Sequence, residues 1–260
     1  MKAASEITKF CGYLSKYKSP LTVKAYAETL ARFLWYKKDR ELTSKLAEEF
    51  LNYMSVCGCS NRSLNRHLAA LKAYYGKLHS MELRVDGYKI GRTLPVWLTD
   101  NEINLYIQAC SDSLEKALAI TFLKSGVRLE ELRTLTVDNI DSQGYITVIG
   151  KGDKERTIAV PDEVITVLRN WLSERGLSAG LVFPMSRTTI ETRVSMLARR
   201  AGIEKKVSPH TLRHSFASAW CRHRGKLDHL QKQLGHSNIA ITSVYLHATP
   251  IEIKEEMPVI

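Results

Sequence analysis

The chain has 260 residues, 44% of them hydrophobic, with 38 Lys and Arg against 27 Asp and Glu, a formal net charge of +11. That length and apolar content can bury one large core or two ordinary ones, which excludes a disordered or fibrous chain. No apolar run approaches the roughly 18–20 residues of a bilayer span, and the charged start lacks a signal-peptide apolar segment, so a cytoplasmic protein without membrane contact is expected.

Up to about residue 83 the sequence predicts four helices and no strand, at about 4–17, 21–38, 42–57 and 61–80. In the second, Val23, Tyr26, Leu30 and Phe33 recur at three- and four-residue spacing after the start signal Ser19-Pro20. The fourth sets Leu64, Leu68, Leu71 and Tyr75 on one face and leaves Arg62, Arg66 and Lys72 off it. Residues 1–90 hold 16 basic against 8 acidic side chains, residues 91–260 only 22 against 19. A basic helical unit thus precedes a nearly balanced one, and a polyanionic partner is expected. The stretch "RVDGYKIGRTLPVWLT" loses the helical period and reads as the linker. The five cysteines, Cys11, Cys57, Cys59, Cys110 and Cys221, match no zinc-site spacing and are expected as reduced thiols.

Beyond the linker helices resume, interrupted by "GYITVIGKGDKERTIAVP", two β-branched runs around a Lys-Gly-Asp-Lys turn that read as a hairpin. Before it, "SGVRLEEL" places Arg128 three residues ahead of Glu131, which can orient its guanidinium. After it, "SPHTLRHSFASAW" starts a helix with Ser208 as N-cap and Pro209 at the first position, so His210 and Arg213 stand one turn apart and can reach one ligand. His210 and His214 have an i, i+4 spacing compatible with zinc, but no HExxH arrangement or further ligand accompanies them, and no metal is expected. Near the end, "LGHSNIAITSVYLHA" holds His236 nine residues before Tyr245.

"SGVRLEEL", "GKGDKER", "HTLRHSFA" and "LGHSNIAITSVY", in this order, resemble the catalytic signature of the tyrosine recombinase/integrase family, most closely its Xer-type site-specific recombinases. The resemblance covers nearly all of residues 96–250 and extends more weakly to the helical N-terminal unit. It implies a mainly α fold with a small antiparallel β-sheet in the C-terminal domain. It also implies a two-domain C-clamp: a helical, SAM-like core-binding domain at 1–87, a linker at 88–95 and a catalytic domain with its tail at 96–260. The catalytic set carries over as Arg128, Lys151, His210, Arg213, His236 and the nucleophile Tyr245, with Glu131 behind Arg128. One departure is Asn139, where an Asp commonly follows the Leu-Thr stretch.

These residue types suit the chemistry independently of the likeness. A phosphodiester under attack becomes a phosphorane with about two negative charges, which guanidinium forks match and an imidazole can supplement. A phenol with a pKa near 10 needs a base to become a nucleophile, and His210 is the candidate acceptor. The departing 5′ oxygen needs an acid. Lys151 is assigned by the resemblance, and Lys154 in the same turn stays open. Side-chain cations make a metal unnecessary, and a covalent 3′-phosphotyrosine conserves bond energy, so no cofactor or ATP is expected.

The expected function is site-specific recombination through a Holliday junction, resolving chromosome or plasmid dimers. The expected partners are double-stranded DNA at paired half-sites and three further copies in a tetramer on synapsed DNA. The family likeness implies that a tail carrying Ile251, Ile253 and Met257 docks in trans. Lys24, Arg62, Arg66 and Lys72 are the expected DNA contacts of the first unit. A mobile-element integrase, a relaxing enzyme of type IB topoisomerase kind and a non-catalytic DNA-binding protein are the alternatives.

Overall fold

The computed structural model describes residues 2–91, 95–150 and 155–235. The chain divides into two compact units, Met1–Thr93 and Leu94–Ile260. The fold is mainly helical with one small antiparallel sheet, as the sequence predicts.

The first unit packs α1 (Lys2–Leu14), α2 (Pro20–Lys37), α3 (Ser44–Val56) and α4 (Asn61–Leu78). Ser19, Thr43 and Ser60 cap the last three by accepting the backbone N–H of Thr22, Leu46 and Ser63, which satisfies donors that a helix start leaves orphaned. Phe10, Phe33, Phe50 and Tyr74 meet edge-on in the core, with Phe33 and Phe50 centred 5.3 Å apart. A buried polar pair ties α2 to α4, with Thr29 Oγ1 2.9 Å from His67 Nδ1. Burial first, and then the charges of Arg66 and Arg32, hold the His67 imidazole below its ordinary pKa.

The segment after α4 does not run free. Asn65 exchanges two 2.8 Å hydrogen bonds with the Tyr88 backbone, and Asn61 donates to Lys89 O at 2.8 Å. Val85 and Tyr88 pack on the first core, so residues through Lys89 fold back on α4.

The second unit is built around α6 (Ser113–Ser125), which is buried along most of its length and packs against α5 (Asp100–Gln108), α8 (Asp162–Glu174), α9 (Arg187–Arg200) and α10 (Pro209–Arg222). An N-cap at each start explains where three of these helices begin: Thr99 for α5, Asp112 for α6 and Ser208 for α10. Between α7 (Leu129–Arg133) and α8 lies the hairpin of β1 (Tyr145–Ile149) and β2 (Glu155–Ala159), with Ile146 opposite Ile158 and Val148 opposite Arg156. Ile146, Val148 and Ile158 face the core, which puts Arg156 on the inward side of β2. The last described helix is α11 (Leu227–Leu234). All five cysteines are free thiols. Among the described residues no helix is long and apolar enough to cross a membrane.

Candidate functional site

The site begins where α6 stops. Gly126 caps α6 in the left-handed region (φ 67°), where a Cβ would lie 2.4 Å from the Phe216 ring and 2.9 Å from Leu234. Only glycine lets α10 and α11 come this close to the end of α6. Arg128 follows as the extended N-cap of α7, and its backbone N–H is accepted by Glu131 Oε2 at 2.8 Å.

Two arginines converge on the C-terminal turn of α11. Arg213, only 4% exposed, donates Nη2 to Leu234 O at 2.7 Å and Nη1 to Gly126 O at 2.5 Å. Arg128, whose side chain is 36% exposed, donates Nη2 to the next carbonyl, Gly235 O, at 3.2 Å. Arg213 therefore sits between the carbonyl ends of α6 and α11, where helix dipoles and unpaired acceptors favour a cation. The two residues are 85 apart in sequence, yet they bind consecutive peptide groups.

Behind Arg128 the Glu131 carboxylate is 2% exposed and takes donors on both oxygens. Oε1 accepts Arg128 Nη1 and Arg156 Nη1, each at 2.7 Å, while Oε2 accepts Arg156 Nη2 at 2.9 Å beside the Arg128 N–H. Burial alone would raise the pKa of this acid. The bidentate Arg156, followed by Arg128, overcomes that and holds it at about 2.

His210 is exposed, one turn before Arg213 on α10. Desolvation by the protein around it, then the charges of Arg213, Arg187 and Arg128, keep its imidazole below its ordinary pKa, against a smaller opposing pull from Glu191. The ring is thus biased toward the neutral form that can accept a proton. Desolvation, then His210 and Arg213, act in the same direction on His214. The pair expected to reach one ligand differs in exposure, because Arg213 is drawn inward by two carbonyls while His210 stays at the surface.

Arg128, Glu131, His210 and Arg213 are brought together. Lys151, His236, Tyr245 and the tail positions Ile251, Ile253 and Met257 lie outside the described residues. In the first unit Lys24, Arg62, Arg66 and Lys72 are all exposed. Sequence reasoning missed Arg32, whose charge reaches His67 together with that of Arg66, so a basic surface spans α2 and α4. It also missed Arg156, Gln233 and Arg187. Arg156 carried a signal: it shares parity with buried Ile158 on β2, so a guanidinium there must point inward and needs an acid. Gln233 donates Nε2 to Ser125 O at 3.2 Å and to Ala159 O at 2.8 Å, tying α11 to α6 and β2. Arg187 pairs with Glu191 at 3.0 Å and Glu130 at 3.6 Å at the start of α9.

The second unit thus sets Arg213 and Arg128 at the carbonyl ends of α6 and α11, and the first carries Lys24, Arg62, Arg66 and Lys72 exposed on its helices. Comparison with known proteins gives the family. The model described as "Phage integrase family" matches residues 96–252, and that described as "Phage integrase, N-terminal SAM-like domain" matches residues 7–80. The tyrosine recombinase XerA of Pyrococcus furiosus is 32% identical over 96% of this chain and 91% of its own length. XerC of Xanthomonas campestris pv. campestris is 34% identical over 87% of this chain and 78% of its own. Among solved structures, the XerA recombinase superposes with a TM-score of 0.58 at 30% identity, covering 97% of this chain and 96% of that one. A XerH site-specific recombinase bound to palindromic difH substrate in a post-cleavage complex reaches 0.76 at 22% identity, covering 96% and 83%, a likeness of fold. The chain belongs to the phage integrase family and is a tyrosine site-specific recombinase.

Proposed function

We propose that this recombinase cuts and rejoins double-stranded DNA with Tyr245 as nucleophile and Arg128, Arg213 and His236 as the donors that hold the phosphorane oxygens. The observation that carries the reading is the convergence of Arg128 and Arg213 on the consecutive carbonyls of Gly235 and Leu234, directly before His236 in the chain. Guanidinium charge survives at every working pH, and its planar fork matches phosphate. His210, biased toward neutrality, accepts the phenol proton, and Lys151 protonates the leaving 5′ oxygen. Neither a metal nor a nucleotide enters these steps.

In this reading residues 1–87 form the core-binding domain, 88–95 the link, whose first two residues are bonded back to α4, and 96–260 the catalytic domain, both domains binding the same DNA. Lys24, Arg62, Arg66 and Lys72 contact phosphates or groove edges. Replacing Arg66 with Gln is then expected to lower the slope of log affinity against log salt by about one phosphate contact. Salt titration of DNA binding by both proteins checks it, and a flat wild-type dependence would remove the assignment.

Four copies act on two synapsed duplexes, joined by the tail of one copy in its neighbour. The tail's expected apolar residues suit a cleft of about 570 Å³ in the second unit whose lining includes Leu123, Pro161, Phe216 and Trp220. The biological task is resolution of chromosome or plasmid dimers in the cytoplasm.

The experiment starts by trapping the protein on DNA in its host and sequencing the attached strand. A nicked suicide duplex of that site should then yield a covalent adduct with the wild type and none with Tyr245→Phe, while both bind DNA. An adduct with the variant means another nucleophile. Strand transfer between two labelled duplexes is expected, and relaxation of supercoils without transfer would make the enzyme a topoisomerase instead.

A further inference from the structure

We propose that Arg156 is a positioning residue of the phosphate clamp: by occupying both oxygens of Glu131, it prevents that carboxylate from neutralising Arg128. The inference deepens the reading above and rests on it.

Every nitrogen of the Arg156 guanidinium donates to protein: Nη1 and Nη2 to Glu131, and Nε to Gln233 O at 3.3 Å. Its side chain is 16% exposed, against 36% for Arg128. Of the two guanidiniums on Glu131, Arg156 is the more enclosed and Arg128 the more open, so within this cluster Arg128 is the one that presents an edge to a phosphate. What Arg156 does for the reaction must pass through its partners.

Glu131 takes the full fork of Arg156 in bidentate fashion, but it takes only one side-chain nitrogen of Arg128. Two guanidiniums and one carboxylate leave a net charge of +1 in the cluster, and the more exposed member presents it. Without Arg156, a carboxylate 2% exposed would have Arg128 as its remaining cationic partner. The favoured response is for it to draw Arg128 into the two-nitrogen fork pairing that Arg156 now makes, since a buried unpaired charge is costly. Arg128 would then be neutralised and turned away from the phosphate. Other charges near the cluster do not replace Arg156: Glu130 engages Arg133 and Arg187, and Arg213 engages the ends of α6 and α11.

Arg156 also fixes a second part of the site. A Cβ on Gly235 (φ 62°) would lie 2.9 Å from Arg156 Nε, so the glycine that caps α11 lies against this guanidinium. The carbonyl of the same glycine receives Arg128.

Charge balance gives a test that a purely structural role would not satisfy. On a nicked suicide duplex of the trapped site, Arg156→Met is expected to cleave about 100-fold more slowly than wild type at saturating DNA, the scale of losing one preorganised donor. Its DNA affinity should change less than threefold. Arg156→Lys, which keeps the charge without the fork, should fall between them. The double variant Arg156→Met/Glu131→Gln should cleave at least tenfold faster than Arg156→Met alone, because removing the carboxylate frees Arg128. Thermal unfolding of each variant is measured alongside. If Arg156→Met is unfolded at the assay temperature, the same comparison uses Arg156→Lys with and without Glu131→Gln, and the same order is expected. A wild-type adduct together with a double variant no faster than its single parent overturns this inference alone. No wild-type adduct on the trapped site overturns the recombinase chemistry, and this inference with it.

Discussion

Arg213→Lys is expected to lose about 100- to 1,000-fold in cleavage rate while still folding, and Arg213→Ala to lose both cleavage and about 2–6 kcal/mol of stability. The two losses have different sources. Arg213 bridges the carbonyls of Gly126 and Leu234, the ends of two helices that close on each other across a glycine. Alanine leaves both acceptors buried without this donor, and each unmet acceptor costs about 1–3 kcal/mol. Lysine retains a point charge near the helix ends but cannot bond two carbonyls in fixed directions and also present a planar edge to phosphate. Single-turnover cleavage, measured well below each variant's unfolding midpoint, separates chemistry from stability. If Arg213→Lys cleaves within tenfold of wild type, the guanidinium is a structural brace and the phosphate is held elsewhere.

The readings that succeeded from sequence share a physical trait: each rests on neighbours within one turn or one strand. The helices of the first unit start at Ser19, Thr43 and Ser60 because a hydroxyl there meets an orphan N–H three residues on, a local event. The hairpin around "KGDK" and the α10 start at Ser208-Pro209 are of the same kind. Glu131 stands three residues after Arg128 and reaches it within a turn.

What stayed illegible depends on contacts between distant segments. Nothing near Arg156 names Glu131, 25 residues earlier, as its acid, although the parity of β2 demanded one. The fold-back of residues through Lys89 on α4 is made by the amides of Asn61 and Asn65 on backbone groups, which leave no hydropathy pattern. Helical spacing put His210 and Arg213 on one face, but it could not say that the ends of α6 and α11 would cover one of them. The Gly126 contact with Phe216 and Leu234 decided that, and it spans about a hundred residues.

The cluster's acid should also appear in stability against pH. Glu131 is held at about 2 in the folded protein, below its ordinary value of 4.5, with Arg156 and Arg128 outweighing the effect of burial. A carboxyl whose folded pKa is depressed binds fewer protons folded than unfolded between those two values, so folding grows stronger as pH rises through that window. The stabilisation is complete above about 4.5 and is lost as pH falls toward 2, on the order of 3 kcal/mol in all. Glu131→Gln lacks this contribution and sets an amide N–H₂ against two guanidiniums. Urea unfolding of both proteins from pH 7 to pH 2.5 should show the variant weaker by roughly 3 kcal/mol or more near neutrality. The gap should then narrow steadily below pH 4.5, because every other carboxylate titrates alike in both proteins. A gap that stays constant down to pH 2.5 would mean that Glu131 is not held ionised by its arginines, and the charge balance assigned to Arg128 would fail with it.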